Sequence, residues 1–442
     1  MSDAEIAIIV TETCPHCTPK DSVIPGDFKQ IAEISEGASI LGFTGEVSIS
    51  RAFRREYKGK MNRIKACGIL PFDLTPDHLV LTVEGIAKGS SIEVGDELVW
   101  KPASKLREYG YAKDRDYLVI SKPLKKIECK ELSLRNFTTK RGVETALGMK
   151  APLKFPLDIG AWLLGLYVAE GCPGGKGVRF CLGSFEKEMI AKVIEIGRKL
   201  GYSPCMTHVK GERETIVEIP SRILSRAFPN WCGRGARNKR IPQFIMYNIN
   251  DDVVRDFLSG YISGDGCVKG DSCILQIATA SKILALQLQL LLVRFNRFLY
   301  ITRVRRKDQF ILGRKVDAVD WYSLKEYKKR RKIKLFEDYF AIPIAENIQT
   351  DFEGRVFNLE TEDATYLVNN IVVHNCETLK ETLKEKGLLD KVKIINASTT
   401  EGRTFAVMNN IMAVPTCVII NKDGNVNQCS NDEFIKLLEN GK

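Results

Sequence analysis

The sequence predicts a multidomain protein: an all-β unit interrupted by an α/β unit, both enclosed by a second α/β unit that is split between the chain ends. The chain has 442 residues, more than the roughly 100–200 residues of one domain. Strand-like segments flank a stretch that contains two similar apolar helices. The motif Cys14-Pro15-His16-Cys17 is rebuilt as Cys14-Pro15-His16-Cys376 when residues 17–375 are deleted. A deletion that restores the same motif indicates an interior that removes itself.

The two flanks, residues 1–16 and 376–442, together predict one small α/β protein of 83 residues. The apolar strand Glu5–Val10 precedes the motif, and an amphipathic helix follows Cys376. After that helix the patterns predict a strand at 391–395, a helix near 403–410, a hairpin turning at Asp423-Gly424, and a helix over 431–440. This order of elements around a CxxC motif resembles the thioredoxin and glutaredoxin family.

That resemblance implies a thiol–disulfide oxidoreductase that needs no cofactor. Cys14 is the expected nucleophile, because a helix N-terminus lowers a thiol pKa and only the thiolate attacks disulfides. Cys376 would resolve the mixed disulfide. Pro415 matches the cis-proline that faces the CxxC motif in this family. The implied partners are protein or small-molecule disulfides and a reductant.

Separate blocks of the interior resemble those of an intein. Cys17 opens the first block, Thr75-Pro-Asp-His78 matches the second, and residues 356–359 and 366–375 match the last two, with Cys376 as the first residue beyond. The resemblance implies an all-β Hint fold over residues 17–145 and 345–375.

The resemblance also assigns the first chemical step. Cys17 attacks the carbonyl carbon of His16 and converts an amide into a thioester. His78 protonates the departing nitrogen, and Thr75 positions the bond. The step is uphill, so the site must distort the peptide bond or stabilise the product.

Three further residues complete the expected chemistry without a cofactor. Cys376 attacks the thioester and takes over the N-terminal flank. Asn375 cyclises and cuts the chain, with His374 as the proton donor. A sulfur-to-nitrogen shift then leaves an ordinary amide between His16 and Cys376.

One block departs from the family pattern. Asn358 stands where many inteins have Asp, and the position of a usual His falls on Ala364 or Thr365. This departure puts the control of cyclisation and thioester transfer in question.

Two motifs inside the interior resemble the LAGLIDADG signature of homing endonucleases and place that domain at residues 146–344. Each is an apolar helix with small residues four apart, so that two helices can approach closely. Each helix ends in an acid, Glu170 or Asp265, followed by Gly. Side by side, these carboxylates would bind Mg²⁺, which activates water for cutting double-stranded DNA. The expected target is the host gene without the insert.

The charge distribution agrees with a polyanionic partner for the interior. Residues 17–375 hold 57 basic and 43 acidic side chains, whereas the flanks hold 9 and 12. The predicted DNA contacts come from Lys and Arg residues around the two motifs. They are Lys239, Arg240, Arg303, Arg305, Arg306 and the run Lys328–Lys332.

Composition excludes other classes. No apolar run of about 18 residues predicts a membrane span, and the N-terminus lacks a basic region before an apolar one, so no signal peptide is expected. The 13 cysteines lack the paired spacing of a zinc site. We therefore expect a cytoplasmic monomer. The alternatives are a non-splicing DNA-binding regulator with a CxxC redox sensor, and an endonuclease domain that binds DNA without cutting it.

Overall fold

The computed structural model describes the greater part of the chain. The described residues are 5–10, 17–43, 45–83, 85–92, 117–121, 127–148, 152–208, 213–267, 273–305, 309–311, 314–316, 320–329, 333–335, 339–374, 386–396, 400–409, 416–421, 425–429 and 431–439. Nine residues with predicted roles lie outside these ranges, namely Cys14, His16, Arg306, Arg330, Arg331, Lys332, Asn375, Cys376 and Pro415. The predicted helix after Cys376 and the Asp423-Gly424 turn also lie mainly outside them.

The two flanks meet in one four-stranded sheet with the order Lys393–Asn396, Glu5–Val10, Thr416–Ile420 and Val426–Cys429. The first pair is parallel and the other two are antiparallel. The helices Thr400–Met408 and Asn431–Glu439 and the 3-10 turn Leu389–Lys391 belong to the same unit. It has a small core of its own, made by Leu388, Cys417, Phe434 and Leu438. Of the elements predicted for the flanks, the strands and the two later helices are confirmed, with ends that differ by at most three residues, whereas the helix after Cys376 stays a prediction.

An eleven-stranded sheet joins the two ends of the interior. Its longest strands, Glu46–Ala66 and Tyr339–Thr361, pair antiparallel from Ala66 opposite Ile344 to Ile49 opposite Thr361. The far end of this ribbon is solvated and carries cross-strand ion pairs such as Lys60–Asp351. The other strands are Thr18–Pro19, Ser39–Leu41, Phe72–Leu74, Leu79–Thr82, Gly85–Lys88, Tyr117–Ser121, Lys334–Leu335, Thr365–Val368 and Ile371–His374.

An α/β unit follows, built from two similar halves. The first motif helix, Leu157–Glu170, leads into a sheet ordered Gly171–Pro173, Val178–Gly183, Glu214–Ile219 and Cys205–His208. The second motif helix, Asp251–Asp265, leads into a sheet ordered Gly266–Cys267, Cys273–Thr279, Trp321–Tyr327 and Tyr300–Val304. The remaining helices of this unit are Lys187–Lys199, Arg222–Cys232, Gln243–Met246 and Lys282–Val293. We call Lys282–Val293 the bridging helix.

Glycines allow the two motif helices to touch through their backbones, as the small-residue spacing predicted. A Cβ atom on Gly165 would lie 1.9 Å from the carbonyl oxygen of Phe257, and one on Gly260 would lie 1.9 Å from that of Trp162. Gly264 packs against Ala169 and Glu170. The ends of the two helices are therefore held together, which brings their terminal acids to one place.

The β unit and the α/β unit share one continuous apolar core. The strand Glu131–Ser133 pairs with Lys154–Pro156 just ahead of the first motif helix. The predicted boundary at residues 145 and 146 falls inside the helix Lys140–Gly148. Within the described residues, no helix is long and apolar enough to cross a membrane.

Candidate active sites

Cys17 is clamped by Thr75 in a buried position. The backbone N–H of Cys17, which belongs to its peptide bond with residue 16, donates to Thr75 Oγ1 at 2.8 Å. The Thr75 N–H donates to the Cys17 carbonyl oxygen at 2.9 Å, and the Thr75 hydroxyl donates to the same oxygen at 3.3 Å. Cys17 is 1% exposed and packs with Met61 and Val356. The structure thus brings Cys17 and Thr75 together as predicted, and both the N–H and the carbonyl oxygen of Cys17 bond to Thr75.

His78 lies in the same turn as Thr75 and is fully buried. Its N–H donates to the Thr75 carbonyl oxygen at 2.9 Å, and its own carbonyl accepts from Gly89 N–H at 2.7 Å. The imidazole packs edge-on against the ring of Tyr366. The TxxH spacing works here because four residues form one turn that fixes Thr75 and His78 relative to each other.

Asn358 and Tyr366 form a buried polar pair that the sequence did not predict. The Tyr366 hydroxyl donates to Asn358 Oδ1 at 2.6 Å, and both residues are at most 1% exposed. Thr18 lies opposite Phe357 in the sheet, so the register carried one residue further sets Cys17 beside Asn358. Tyr366 therefore links the partner strand of Cys17 to the ring of His78. The sequence showed that Asn358 departs from the Asp of many inteins, but it did not indicate that Tyr366 is its partner.

His374 ends a hairpin, which we call the C-terminal hairpin, formed by Thr365–Val368 and Ile371–His374. Its two-residue turn consists of Asn369 and Asn370, both with positive φ (47° and 72°), which suits a type I′ turn. His374 lies opposite Leu79, the residue after His78. Both histidines therefore lie at the same end of neighbouring strands, as expected if they serve one reaction.

A second candidate site lies where the motif helices end. Burial, and then the nearby carboxylate of Asp265, raise the pKa of Glu170 to about 7. Burial also raises the pKa of Asp265. Two adjacent, partly desolvated carboxylates favour a proton or a cation between them. The charge of Asp265 acts on Glu170, which agrees with the predicted pairing of the two acids.

The structure corrects the prediction that Lys239 contacts DNA. Its side chain is buried and donates to the carbonyl oxygens of Tyr167 and of Gly171, the latter at 2.9 Å. Burial lowers the pKa of Lys239, and its charge in turn lowers those of Glu170 and Asp265. Lys239 thus binds the carbonyl end of the first motif helix, because a helix C-terminus attracts a cation.

The other predicted DNA contacts that the structure describes lie on the surface. Arg240 is exposed and donates to the Asn230 carbonyl oxygen at 3.0 Å. Arg303 is exposed and forms an ion pair with Asp320. Arg305, Lys328 and Lys329 are also exposed.

The paired carboxylates fit a divalent cation by the chemistry of their oxygens. A bound cation would relieve the repulsion that raises the pKa of Glu170. In the described part of the chain, no group of three or more His, Cys, Asp or Glu side chains is arranged to hold a metal. Glu170 and Asp265 would therefore hold Mg²⁺ together with oxygen atoms from a ligand and water.

The second half of the α/β unit matches a known family. Residues 252–329, which include most of the second motif helix and the whole bridging helix, match the family model described as a LAGLIDADG-like domain. The chain therefore carries a LAGLIDADG-like domain, as its motifs predicted.

Proteins with different names are similar to long parts of the chain. The ATP-dependent DNA helicase Hel308 of Thermococcus kodakarensis is 28% identical over 415 residues, which cover 83% of this chain and 36% of the helicase. An iron–sulfur cluster assembly SufBD family protein of Mycobacterium tuberculosis is 27% identical over 234 residues, which cover 50% of this chain and 27% of that protein. The chain thus spans about a third of the first relative's length and about a quarter of the second's.

A solved structure of the homing endonuclease I-DmoI in complex with DNA and Mn is 16% identical to the part of the chain that it matches. The likeness covers 38% of this chain and 89% of that chain, with a TM-score of 0.26.

The raised pKa of Glu170 predicts a pH-dependent cost to stability. Since its pKa is about 7 in the folded state and ordinarily 4.5, rising pH deprotonates the unfolded chain first. The contribution of Glu170 to folding therefore declines between these two pH values. We expect Glu170→Gln to flatten this decline in melting temperature, measured from pH 4 to 8 in a Cys17→Ala/Asn375→Ala background, which blocks both cuts and so holds the chain at one length.

The matched control is Glu188→Gln, because Glu188 is an exposed acid on a neighbouring helix. Mg²⁺ should raise the melting temperature at pH 8 for the Cys17→Ala/Asn375→Ala chain and for the control, and less for Glu170→Gln. The same pH dependence with and without the Glu170 carboxyl would contradict the assignment.

Proposed function

We propose that the chain is a precursor that excises residues 17–375 by its own chemistry and joins residues 1–16 to 376–442. The observation that carries this proposal is the clamp of Thr75 on the Cys17 backbone, next to His78 and to the strand that ends at His374. Residues from three distant segments are thus linked: Cys17 is hydrogen-bonded to Thr75, His78 shares the turn of Thr75, and His374 lies opposite Leu79. That is the arrangement that an intein of the Hint type requires.

The clamp supports the first step of the reaction. The Cys17 nitrogen is the leaving group when its Sγ attacks the preceding carbonyl carbon, so that a C–S bond forms and the C–N bond breaks. Thr75 Oγ1 already accepts the N–H of that nitrogen, which fixes the amide plane. His78 supplies the proton that the nitrogen gains, and the Cys17 thiol gives up its own proton, so the step consumes no proton overall. The burial of Cys17, Thr75 and His78 excludes water, which would otherwise hydrolyse the thioester.

Resolution of the thioester depends on the other junction. Cys376 takes the acyl group by thioester exchange. Asn375 then attacks its own carbonyl carbon through its side-chain nitrogen and releases the interior, with His374 donating a proton to the departing nitrogen. The free amine of Cys376 finally displaces its own sulfur and forms the amide with residue 16.

The pair of Asn358 and Tyr366 takes the place of the family's Asp and His in this scheme. A neutral amide cannot accept a proton as a carboxylate does, but the Tyr366 hydroxyl fixes its orientation next to Cys17. We propose that this pair orients Cys17 and His78 rather than transferring protons.

The relatives support an inserted element. A match that covers 83% of this chain must lie mainly in the 359-residue interior, because the flanks hold only 83 residues. The same chain resembles parts of a DNA helicase and of an iron–sulfur assembly protein, whose names describe unrelated activities. A segment shared by parts of unrelated proteins fits an element that inserts into different hosts.

We propose that the joined flanks form a thiol–disulfide oxidoreductase of the thioredoxin type, active in the cytoplasm as a monomer. Support comes from the four-stranded sheet, in which the strand before the motif is central and has one parallel and one antiparallel neighbour. Cys14 and Cys376 would be its redox pair, and Pro415 would contact the substrate. Before excision the two cysteines are separated by the interior, so the precursor should lack this activity.

Excision predicts a product that depends on Asn375. Wild-type chain, expressed and kept reduced, should yield an 83-residue product and a 359-residue fragment on a denaturing gel. Asn375→Ala should block release of the C-terminal flank, because no side-chain amide remains to cyclise. Cys17→Ala should abolish joining altogether. A wild-type chain that stays at 442 residues under these conditions would favour the alternative, a DNA-binding regulator with a CxxC sensor.

We also propose that the LAGLIDADG-like domain cuts double-stranded DNA with Mg²⁺, at the host gene that lacks the insert. The adjacent carboxylates of Glu170 and Asp265 support this proposal, because two acids at the ends of packed helices suit metal-assisted hydrolysis. Bound Mg²⁺ would supply an activated water and stabilise the leaving oxygen. Arg240, Arg303, Arg305 and Arg306 are the proposed phosphate contacts, and Lys239 holds the helix end instead.

DNA cleavage is tested with the excised interior and a linear DNA that carries the uninterrupted host sequence. We expect Mg²⁺-dependent cleavage at one site, and at least a 100-fold loss for Glu170→Gln or Asp265→Asn, about the scale of removing one catalytic group. The two variants should still bind the DNA in a gel-shift assay. Binding without cleavage by the wild type would identify a domain that has lost its nuclease activity.

A further inference from the structure

The bridging helix carries two glutamines in its buried and otherwise apolar part, residues 284–293. A buried amide needs partners for both its N–H and its C=O groups, because an unpaired one costs free energy. Gln287 and Gln289 lie two residues apart, and both are at most 3% exposed. Gln287 has its hydrogen-bond partners within the LAGLIDADG-like part of the chain, whereas Gln289 also has partners in the β unit.

Gln287 has its partners inside the LAGLIDADG-like part of the chain. Its Oε1 accepts from the Ile241 N–H at 2.7 Å, and its Nε2 donates to the Ile241 carbonyl oxygen at 2.8 Å. Gln287 therefore ties the bridging helix to the segment just before the second motif helix.

Gln289 has partners in the β unit as well. Its Nε2 donates to the Gly68 carbonyl oxygen at 2.9 Å and to that of Leu299 at 2.7 Å. Its Oε1 accepts from Asn370 Nδ2 at 3.2 Å. Gly68 follows the long strand Glu46–Ala66, and its carbonyl also accepts from the Ile301 N–H at 2.9 Å.

Asn370 belongs to the turn of the C-terminal hairpin, whose second strand ends at His374. Besides Gln289, its Nδ2 bonds the Leu286 carbonyl oxygen at 3.0 Å, so the turn is bonded twice to the bridging helix. On the other side of the turn, Asn369 exchanges hydrogen bonds with the backbone of Val23. The hairpin is thus held between the N-terminal segment of the interior and a helix of the LAGLIDADG-like domain.

We propose that Gln289, a residue of the LAGLIDADG-like domain, is a positioning residue for excision. Through its bond to Asn370 it holds the C-terminal hairpin, and with it His374, in place. This inference rests on the proposed self-excision and adds that the inserted domain is a working part of it.

The physical reason is that a short strand connects the turn to His374. The strand from Ile371 to His374 is only four residues long. The position of the turn at Asn370 therefore determines where His374 lies along the strand that begins at Leu79. Loss of the Gln289 amide leaves the Gly68 and Leu299 carbonyls without its N–H groups and removes one of the two bonds between the Asn370 side chain and the bridging helix. Asn375 cyclisation, which follows directly on His374, should suffer most.

The test measures the two half-reactions separately in the full-length chain. Cleavage at residue 16 by added dithiothreitol reports the thioester at Cys17, and release of the C-terminal flank reports cyclisation of Asn375. For Gln289→Leu we expect release of the C-terminal flank to slow about tenfold. Thiol-induced cleavage should change less than about twofold, because the Thr75 clamp is untouched.

Gln287→Leu is the matched control, since it removes a glutamine of equal burial from the same helix. It should leave both half-reactions within about twofold of wild type. Asn370→Gly keeps the positive φ of the turn and removes only the side chain. It should reproduce the Gln289→Leu defect, and the double variant should be no slower than either single one. If Gln289→Leu fails to fold, Asn370→Gly alone carries the test.

Three outcomes would overturn the inference. One is a Gln289→Leu chain that releases its C-terminal flank at the wild-type rate. Another is an equal defect in Gln287→Leu, which would mean general destabilisation of the domain. The third is an Asn370→Gly chain with normal cyclisation. A wild-type chain that shows neither half-reaction refutes self-excision itself, and this inference with it.

Discussion

The antiparallel pairing of the strands Glu46–Ala66 and Tyr339–Thr361 is the constraint on which the rest of the structure depends. In the sequence, one of these strands precedes the LAGLIDADG-like unit and the other follows it. In the sheet they are neighbours along nearly their full length. Their pairing returns the end of the interior to its beginning. Only because of this closure can Cys17 lie beside the strand of Asn358 and His374 beside the strand that follows His78.

The proposed splicing site is built from short turns that end strands of the large sheet. Thr75 and His78 share one turn, and the C-terminal hairpin is fixed by two asparagines with positive φ. Each catalytic candidate therefore depends on backbone hydrogen bonds that the large sheet supports. The inserted domain contributes to the same framework, since one continuous core runs through both units and the bridging helix is bonded to the hairpin turn.

Much of this arrangement could be predicted from the sequence. The motif helices were predictable because small residues at fixed spacing have one common use, close helix contact, and Gly165 and Gly260 show that contact. The TxxH turn was predictable because four residues decide its geometry. Long-range polar partners were not predictable, since nothing local distinguishes the buried Lys239 from its exposed neighbour Arg240. The bond between Tyr366 and Asn358 and the bonds of Gln289 likewise depend on which strands and helices pack together.

The most direct test of self-excision is the peptide that joins the two flanks. Residues 1–16 contain no Lys or Arg, and Lys380 is the first basic residue after Cys376. Trypsin should therefore release one peptide of residues 1–16 joined to 376–380, identifiable by tandem mass spectrometry of the expressed chain. The account predicts this peptide in the wild type and its absence in Cys17→Ala. A wild-type digest that contains only the uninterrupted peptide of residues 1–20 would contradict it.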